Sequence, residues 1–328
     1  MDRLIASNSV PMAQADAAPV SGTPQGATDG NPATNVPATR WPSYQYNAIQ
    51  EELIAILTAA NVTPDRTNNA QIIAAIRTLI TQSAAVIGDR RNLVSSVAAA
   101  SATKTVTADE IVVGSALGGQ KYVLANFSGT GNLATTGVNG MDTGSAPTNG
   151  FVAEYAIFNP STGAKGVLYQ NATSAVAPNV YGGANMPNGY TASALTSVWP
   201  TNSSGQFAVA YQADRTVLIV PSSILSTSAQ AASPTALSIA GAVPKNAKFV
   251  NGTGTINSSS ASTNIYSVQG STTYIGQGVV SIGTSSANTG IQGQWPRVPL
   301  ITPQTIYYMA TVTAGTMSVS LSVTGYEF

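Results

Sequence analysis

The sequence predicts a mainly β protein with a short N-terminal α region. The expected order is an extended N-terminal arm, a helical hairpin that joins a multi-chain bundle, and distal domains of β-sandwich type, jelly-roll-like in character. Three observations predict it. Residues 1–42 are a Pro- and Gly-punctuated tract with no run of apolar side chains. Residues 43–102 carry apolar positions at helical spacing, with pairs recurring every seven residues. From about residue 103 the apolar period changes to two, between stretches of Gly, Asn, Pro and Ser.

Composition narrows the function classes. The chain has 328 residues, room for two or three domains. It is 43% hydrophobic and only 8% charged, against roughly 25% charged in an ordinary soluble domain. Residues 1–110 hold 16 of the 26 charges, so the charge step marks a change in the kind of structure. The formal net charge is zero, which argues against nucleic acid as a partner. There is no Cys and no His, which removes disulfides, thiolate chemistry, His-based triads and His or Cys metal sites. No cofactor or metal is expected. The opening "MDRLIASNSVPMAQADAAP" lacks the apolar core of a signal peptide, and no stretch is long enough to span a membrane. Synthesis and assembly in a cytoplasm, with no membrane insertion, are the expectation. The Asn-x-Ser/Thr triplets, such as Asn126 and Asn171, then read as chance in a Ser/Thr-rich chain.

In residues 1–42, Pro11, Pro19, Pro24, Pro32, Pro37 and Pro42 recur too often for a helix. A tract so poor in apolar side chains needs a partner or a neighbouring subunit to order it. Ser43 is a plausible N-cap for a helix carrying Ile49, Leu53, Ile56 and Leu57, stopped by Asn61 and Pro64. A second helix is expected from Asn68-Asn69. Apolar pairs at Ile72-Ile73, Leu79-Ile80, Val86-Ile87 and Leu93-Val94 place Ile73, Ile80, Ile87 and Val94 in one heptad row. The other row is Ile76, Ser83, Arg90 and Val97, too mixed for a dry dimeric zipper. Gly88 is a weak point, costing about 1 kcal/mol relative to Ala in a helix interior. The reading is a hairpin of helix 44–60 against helix 69–87 that also contributes to a bundle through Ile73, Ile76, Ile80, Ile87 and Val94.

Residues 103–149 read as a small β region followed by a linker, Gly129 to Asn149. Residues 150–328 read as the distal β-sandwich. "FVAEYAIF", "TVLIV" and "TNIYSVQ" are expected strands, and Asn-Gly at 139, 149, 188 and 251 signals turns. The last forty residues suggest a terminal hairpin, with Ile306, Tyr308, Ala310 and Val312 on one face. Met317, Val319, Leu321 and Val323 follow after a turn at Ala314-Gly315.

Chemistry has little to work with. Beyond residue 110 the only carboxylates are Asp142, Glu154, Asp214 and Glu327, and no pair stands out for the two-carboxylate work of glycan cleavage. "GSALGG" has no Lys and no following helix, so a phosphate loop is not expected. The chain reads as a non-enzyme. Aromatics in Gly/Pro/Asn-rich stretches suit stacking on sugar faces. Tyr181, Tyr190 and Trp199 are the candidate contacts, ahead of Trp295; the alternative for each is packing in a core or a subunit contact.

"GTPQGATDGNPATNVPATRW", then "NAIQEEL", then "TPDRTNNAQIIAAIRTLI" resembles the N-terminal region of tail-fibre proteins of tailed bacteriophages and of phage-tail-like bacteriocins. The likeness covers roughly residues 20–81. The β-rich remainder, especially "LITPQTIYYMATVTAGT", is similar to the distal receptor-binding parts of such fibres. The resemblance implies a homotrimer in the virion tail. Its N-terminus would attach to a tail, baseplate or adaptor protein, with Pro24, Asp29, Asn31, Pro32 and Trp41 as the attachment residues. Its distal end would bind a bacterial surface polysaccharide or protein. Some fibre tips bind iron through His-x-His motifs, and this chain has no His. The competing reading is a structural fibre or adaptor of head, neck or tail that never touches a receptor; a glycan depolymerase stands behind both.

Overall fold

A computed structural model of the full chain describes residues 3–23 and 26–328, the last four residues of the second helix through their backbone only. Two compact units emerge, residues 1–84 and residues 85–328.

The first unit holds two helices, α1 (Ser43–Ala59) and α2 (Gln71–Ala84). Helix α1 ends where Asn61 takes a left-handed φ of 56° and the Val62 N–H returns to the Leu57 carbonyl. The link to α2 is held by one buried amide. The Gln71 side chain donates to the Thr63 carbonyl at 2.7 Å and accepts from the Asp65 N–H at 2.9 Å. Ile54, Leu57, Ala60 and Ala75 form the small core, with Ile56, Val62, Ile72 and Leu79 packed on it. Ile49, expected on the packed stripe of α1, faces outward instead. The buried stripe runs through Gln50, Ile54 and Leu57, rotated by one residue. The arm supplies the reason: Leu4 N–H donates to Gln50 Oε1 at 2.7 Å, and Arg3 pairs with Glu51 at 2.8 Å.

The second unit is built from sixteen strands. The first eight are β1 (Arg90–Arg91), β2 (Val94–Val97), β3 (Thr103–Gly114), β4 (Lys121–Asn132), β5 (Phe151–Phe158), β6 (Lys165–Asn171), β7 (Ala192–Pro200) and β8 (Ala210–Ala213). The rest are β9 (Thr216–Thr227), β10 (Ala231–Ser238), β11 (Phe249–Ser258), β12 (Thr263–Gln269), β13 (Gly278–Gly283), β14 (Thr289–Pro299), β15 (Thr305–Val312) and β16 (Met317–Glu327). One antiparallel sheet runs β14-β11-β16-β9-β8-β2-β3-β7-β5-β6, with β1 and β4 also on β3; a second runs β10-β15-β12-β13. The chain is thus mainly β, with two antiparallel sheets.

Glycine makes room for two buried aromatic rings. A Cβ at Gly131 of β4 would lie 2.1 Å from the Tyr169 ring of β6, and one at Gly252 of β11 would lie 1.8 Å from the Trp295 ring of β14. Gly252 sits at the bulge of β11, so Asn251-Gly252 is a strand bulge rather than the expected turn. Asn139 and Asn149 do take left-handed turn geometry.

Four expectations are corrected. Ile87 and Val94 are not helical. Gly88 adopts φ 89°, its N–H donates to the Val112 carbonyl, and the Val112 N–H donates to the Asp89 carbonyl, so β3 captures the chain there. Ile87 is buried in the β core, and Val94 faces outward on β2. The helical region therefore ends at residue 84 rather than 102. The 103–149 and 150–328 regions are not separate domains either. β3 pairs with β7 at Gly114 and Ser193, and the expected linker is bonded in place by Asn139 N–H to the Val167 carbonyl and Asp142 N–H to the Tyr169 carbonyl. Lastly, β15 and β16 are both strands with the buried faces expected, but they do not pair. β15 lies between β10 and β12, and β16 between β11 and β9, so the turn at Ala314-Gly315 crosses from one sheet to the other.

Candidate functional surfaces

The expected attachment residues lie in a short folded loop rather than an extended tract. Asn31 Oδ1 caps a 3₁₀ turn at Pro32–Thr34 by accepting the Ala33 N–H at 3.0 Å, and the Asn31 and Val36 backbones pair. Thr28 and Thr39 close the loop beneath them. Asp29 is exposed at the loop's edge, and Trp41 presents 67% of its surface just before α1. Pro24 lies outside the described residues.

Helix α2 has two apolar stripes. Ile72, Ala75 and Leu79 face α1. Ile73 (49% exposed), Ile76 (38%) and Ile80 (62%) form the other, unburied within the chain. Their spacing of three and four residues puts them on one helical face.

The aromatic candidates fare differently. Trp199 is 0% exposed, in the middle of the core, and its Nε1–H donates to the Ala208 carbonyl at 3.0 Å. Tyr181 is buried, its hydroxyl donating to Asp142 Oδ2 at 2.9 Å while accepting from the Asn185 N–H. Burial, reinforced by Asp142, pushes the Tyr181 phenol up to about 12. Tyr190 is half-buried against the core. Trp295 is fully buried as well. Trp199 and Tyr181 are therefore withdrawn as ligand contacts. Trp199 lies on β7, whose side chains are buried on both faces, so its flanking Pro200 marks a strand end rather than a loop.

Each carboxylate beyond residue 110 has a structural partner. Asp142 holds Tyr181, Asp214 accepts the Leu93 N–H in the β8–β9 turn, and Glu327 pairs with Arg297 at 2.9 Å. Glu154 is the exception in kind. It is fully buried on β5, and Lys104, fully buried on β3, places its Nζ 2.6 Å from Glu154 Oε2. The Tyr169 hydroxyl donates to Oε2 at 2.7 Å and the Thr196 hydroxyl to Oε1 at 2.9 Å. The Lys104 amine lies 4.6 Å from the Trp199 ring centroid and donates to Ser95 Oγ at 3.2 Å. Burial pushes the Lys104 amine down, against the pull of Glu154, and pushes the Tyr169 phenol well up. The sequence held traces of this pair. Glu154 interrupts an otherwise apolar strand, and Lys104 shares the inward alternation of Val106 and Ala108. Among the described residues no group of acidic side chains is arranged to hold a metal, and no helix is long and apolar enough to cross a membrane.

The outer face of β14, β11 and β16 is an array of neutral hydrogen-bonding side chains. Cross-strand register aligns Gln292, Thr255 and Ser320 in one row, and Gln294, Thr253 and Ser322 in the next. Thr255 and Ser320 hydroxyls bond at 2.7 Å. No charged residue falls within 253–257, 290–294 or 318–322. The opposite faces of β11 and β16, with Val250, Ile256, Val319, Leu321 and Val323, are buried.

No family model, no curated protein and no solved structure matches this chain.

Proposed function

We propose that this chain is a tail-fibre-type attachment protein of a tailed bacteriophage: a homotrimer in the virion tail that docks by its N-terminal arm and binds a host surface glycan through its β unit. The observation that carries the binding role is the neutral array on β14, β11 and β16. Rows of hydroxyl and amide groups on adjacent paired strands match the donors and acceptors of a neutral sugar, and they do so without charge. The stripe of Ile73, Ile76 and Ile80 supports a bundle of three α2 helices, which would bury these side chains against their copies. Exposed Trp41, beside the loop with Asp29 and Asn31, suits docking on a tail or adaptor protein. The jelly-roll comparison for the β unit belongs to this same reading.

Labelled full-length protein should coat susceptible cells and compete with whole virus. Three copies per trimer would let weak sites sum to firm adhesion. With no charge in the array, adsorption should change little between low and high salt. Thr255→Arg with Ser320→Arg should abolish coating while leaving the fold intact, because both side chains point outward. Cells left uncoated at saturating protein would remove the receptor role and leave a structural fibre. Release of reducing sugar would instead show a depolymerase.

A further inference from the structure

The geometry points to an amide cross-link between Lys104 and Glu154, formed by the folded chain itself and joining β3 to β5 through the core. Several observations bring the two groups to this reaction. The amine and the carboxyl are both fully buried, with Nζ 2.6 Å from an oxygen on the carbon it would attack. Both carboxyl oxygens accept hydrogen bonds, Oε2 from Tyr169 and Oε1 from Thr196. The rings of Trp199 and Phe207 wall the amine at 4.6 and 5.6 Å.

A site without water disfavours the charged pair relative to the neutral one. Proton transfer from the ammonium to Oε2 gives a free amine and a carboxylic acid. The amine lone pair then attacks the carboxyl carbon. Charge that develops on Oε1 is met by the Thr196 hydroxyl, a donor already in place. The C–Oε2 bond breaks, Oε2 takes a second proton from the nitrogen, and one water leaves. The product is an amide with one N–H, and Oε1 becomes its carbonyl oxygen. The three ammonium protons are accounted for, two in the water and one in the amide. No oxidant, metal or cofactor enters. The lowered basicity of the buried amine favours the nucleophilic form.

The geometry also separates Lys104 from other lysines. Lys165 and Lys245 donate to the backbone carbonyls of Ala125 and Ser174 rather than to a carboxylate. Arg90 lies near the same core, but its guanidinium donates to the Leu195 and Thr196 carbonyls and is no nucleophile.

Intact-mass measurement of the purified full-length chain tests this. The expected mass is the sequence mass less one water. Tryptic digestion should fail to cut after Lys104 and should yield a branched peptide containing both Lys104 and Glu154. Lys104→Met, similar in length and neutral, should restore the full mass. A folded wild-type chain at full sequence mass, with trypsin cutting after Lys104, overturns the proposal and leaves a buried ion pair. Should Lys104→Met fail to fold, the wild-type mass and digest decide alone.

Discussion

Replacing Trp199 separates a core residue from a ligand contact, and the structure sets the size of the effect. Its indole is wholly enclosed, donates one hydrogen bond to the Ala208 carbonyl and offers its face to the Lys104 amine. Truncation of a buried Trp or Phe to Ala costs about 3–5 kcal/mol through lost burial and the cavity left behind. One further loss pushes Trp199→Ala toward the top of that range. The Ala208 carbonyl is left unpaired, worth about 1–3 kcal/mol. The two overlap, so about 5 kcal/mol is the expected total. A domain is stable by only about 5–15 kcal/mol, so the variant should be largely unfolded or close to it. Trp199→Phe keeps most of the ring and loses the N–H. Its expected cost is about 1–3 kcal/mol, set by the orphaned carbonyl.

Guanidinium unfolding of the full chain, followed by far-ultraviolet circular dichroism, reads both variants against wild type. The second transition to compare is cell adsorption per folded molecule, which Trp199→Phe should leave unchanged. Trp199→Ala within about 1 kcal/mol of wild type would refute the packing argument, because a fully enclosed indole cannot be removed so cheaply. A Trp199→Phe protein with native stability and no adsorption would restore Trp199 as a contact.

Other perturbations follow from the same geometry. Ile73→Asp with Ile80→Asp should convert the proposed trimer to monomers in native mass spectrometry while the circular dichroism of the β unit persists, whereas Ile87→Asp should unfold that unit by burying an unpaired charge. Gly252→Ala should cost about 1–3 kcal/mol in a thermal melt, since its methyl would overlap the Trp295 ring. Trp41→Ala should leave the melt unchanged and reduce incorporation into particles, scored by immunoblot of purified virions. Stability should hold up to about pH 10 and fall between about pH 10 and 12. Tyr155, Tyr169, Tyr181 and Tyr326 all have phenols raised by burial. Such groups stabilise the fold below their unfolded value, and that contribution is lost as pH rises toward the folded one. A flat profile across that window would contradict the burial of the tyrosines.

Much of the strand content was legible because period two, or a short apolar run bounded by Gly and Asn, is a local property. "TNIYSVQ" and β12 coincide residue for residue, as do the apolar run "FVAEYAIF" and β5. What local pattern could not reveal was partnership. Ile306 and Val319 are each inward-facing as their alternation requires, yet a four-residue turn that suits a hairpin suits a crossing between sheets equally well. The sevenfold repeat failed for a related reason. Val94 and Val97 serve a helix row or a strand, and the decision fell to Gly88 and to pairing with β3, where Val94 lies opposite Thr107. Trp199 was misplaced because Pro200 and Asn202 look like loop residues, while the eight residues before them are buried on both faces and so show no alternation.

The Lys104–Glu154 pair was the least legible feature and bears most on how such a chain stays folded. An ion pair in a dry core is a weak source of stability, because desolvation offsets most of the attraction. Two inward charges among Trp199, Phe207 and Tyr169 would then be a poor exchange for two apolar side chains. Their position tells against indifference: they connect β3 and β5, strands that are not hydrogen-bonded neighbours in the large sheet, fifty residues apart in sequence, in a chain without cysteine. A covalent tie there would close a loop of that length and restrict the unfolded chain, which by the loop-closure relation for cross-links is worth about 4 kcal/mol. On that account Lys104→Met should lower the unfolding midpoint by more than a broken ion pair explains, and mostly by slowing refolding little while raising the unfolding rate. Equal losses for Lys104→Met and for a double replacement of both residues by apolar ones of similar volume would favour the tie, since repacking without charge should otherwise recover the stability. Full recovery in the double variant would leave electrostatics alone as the explanation.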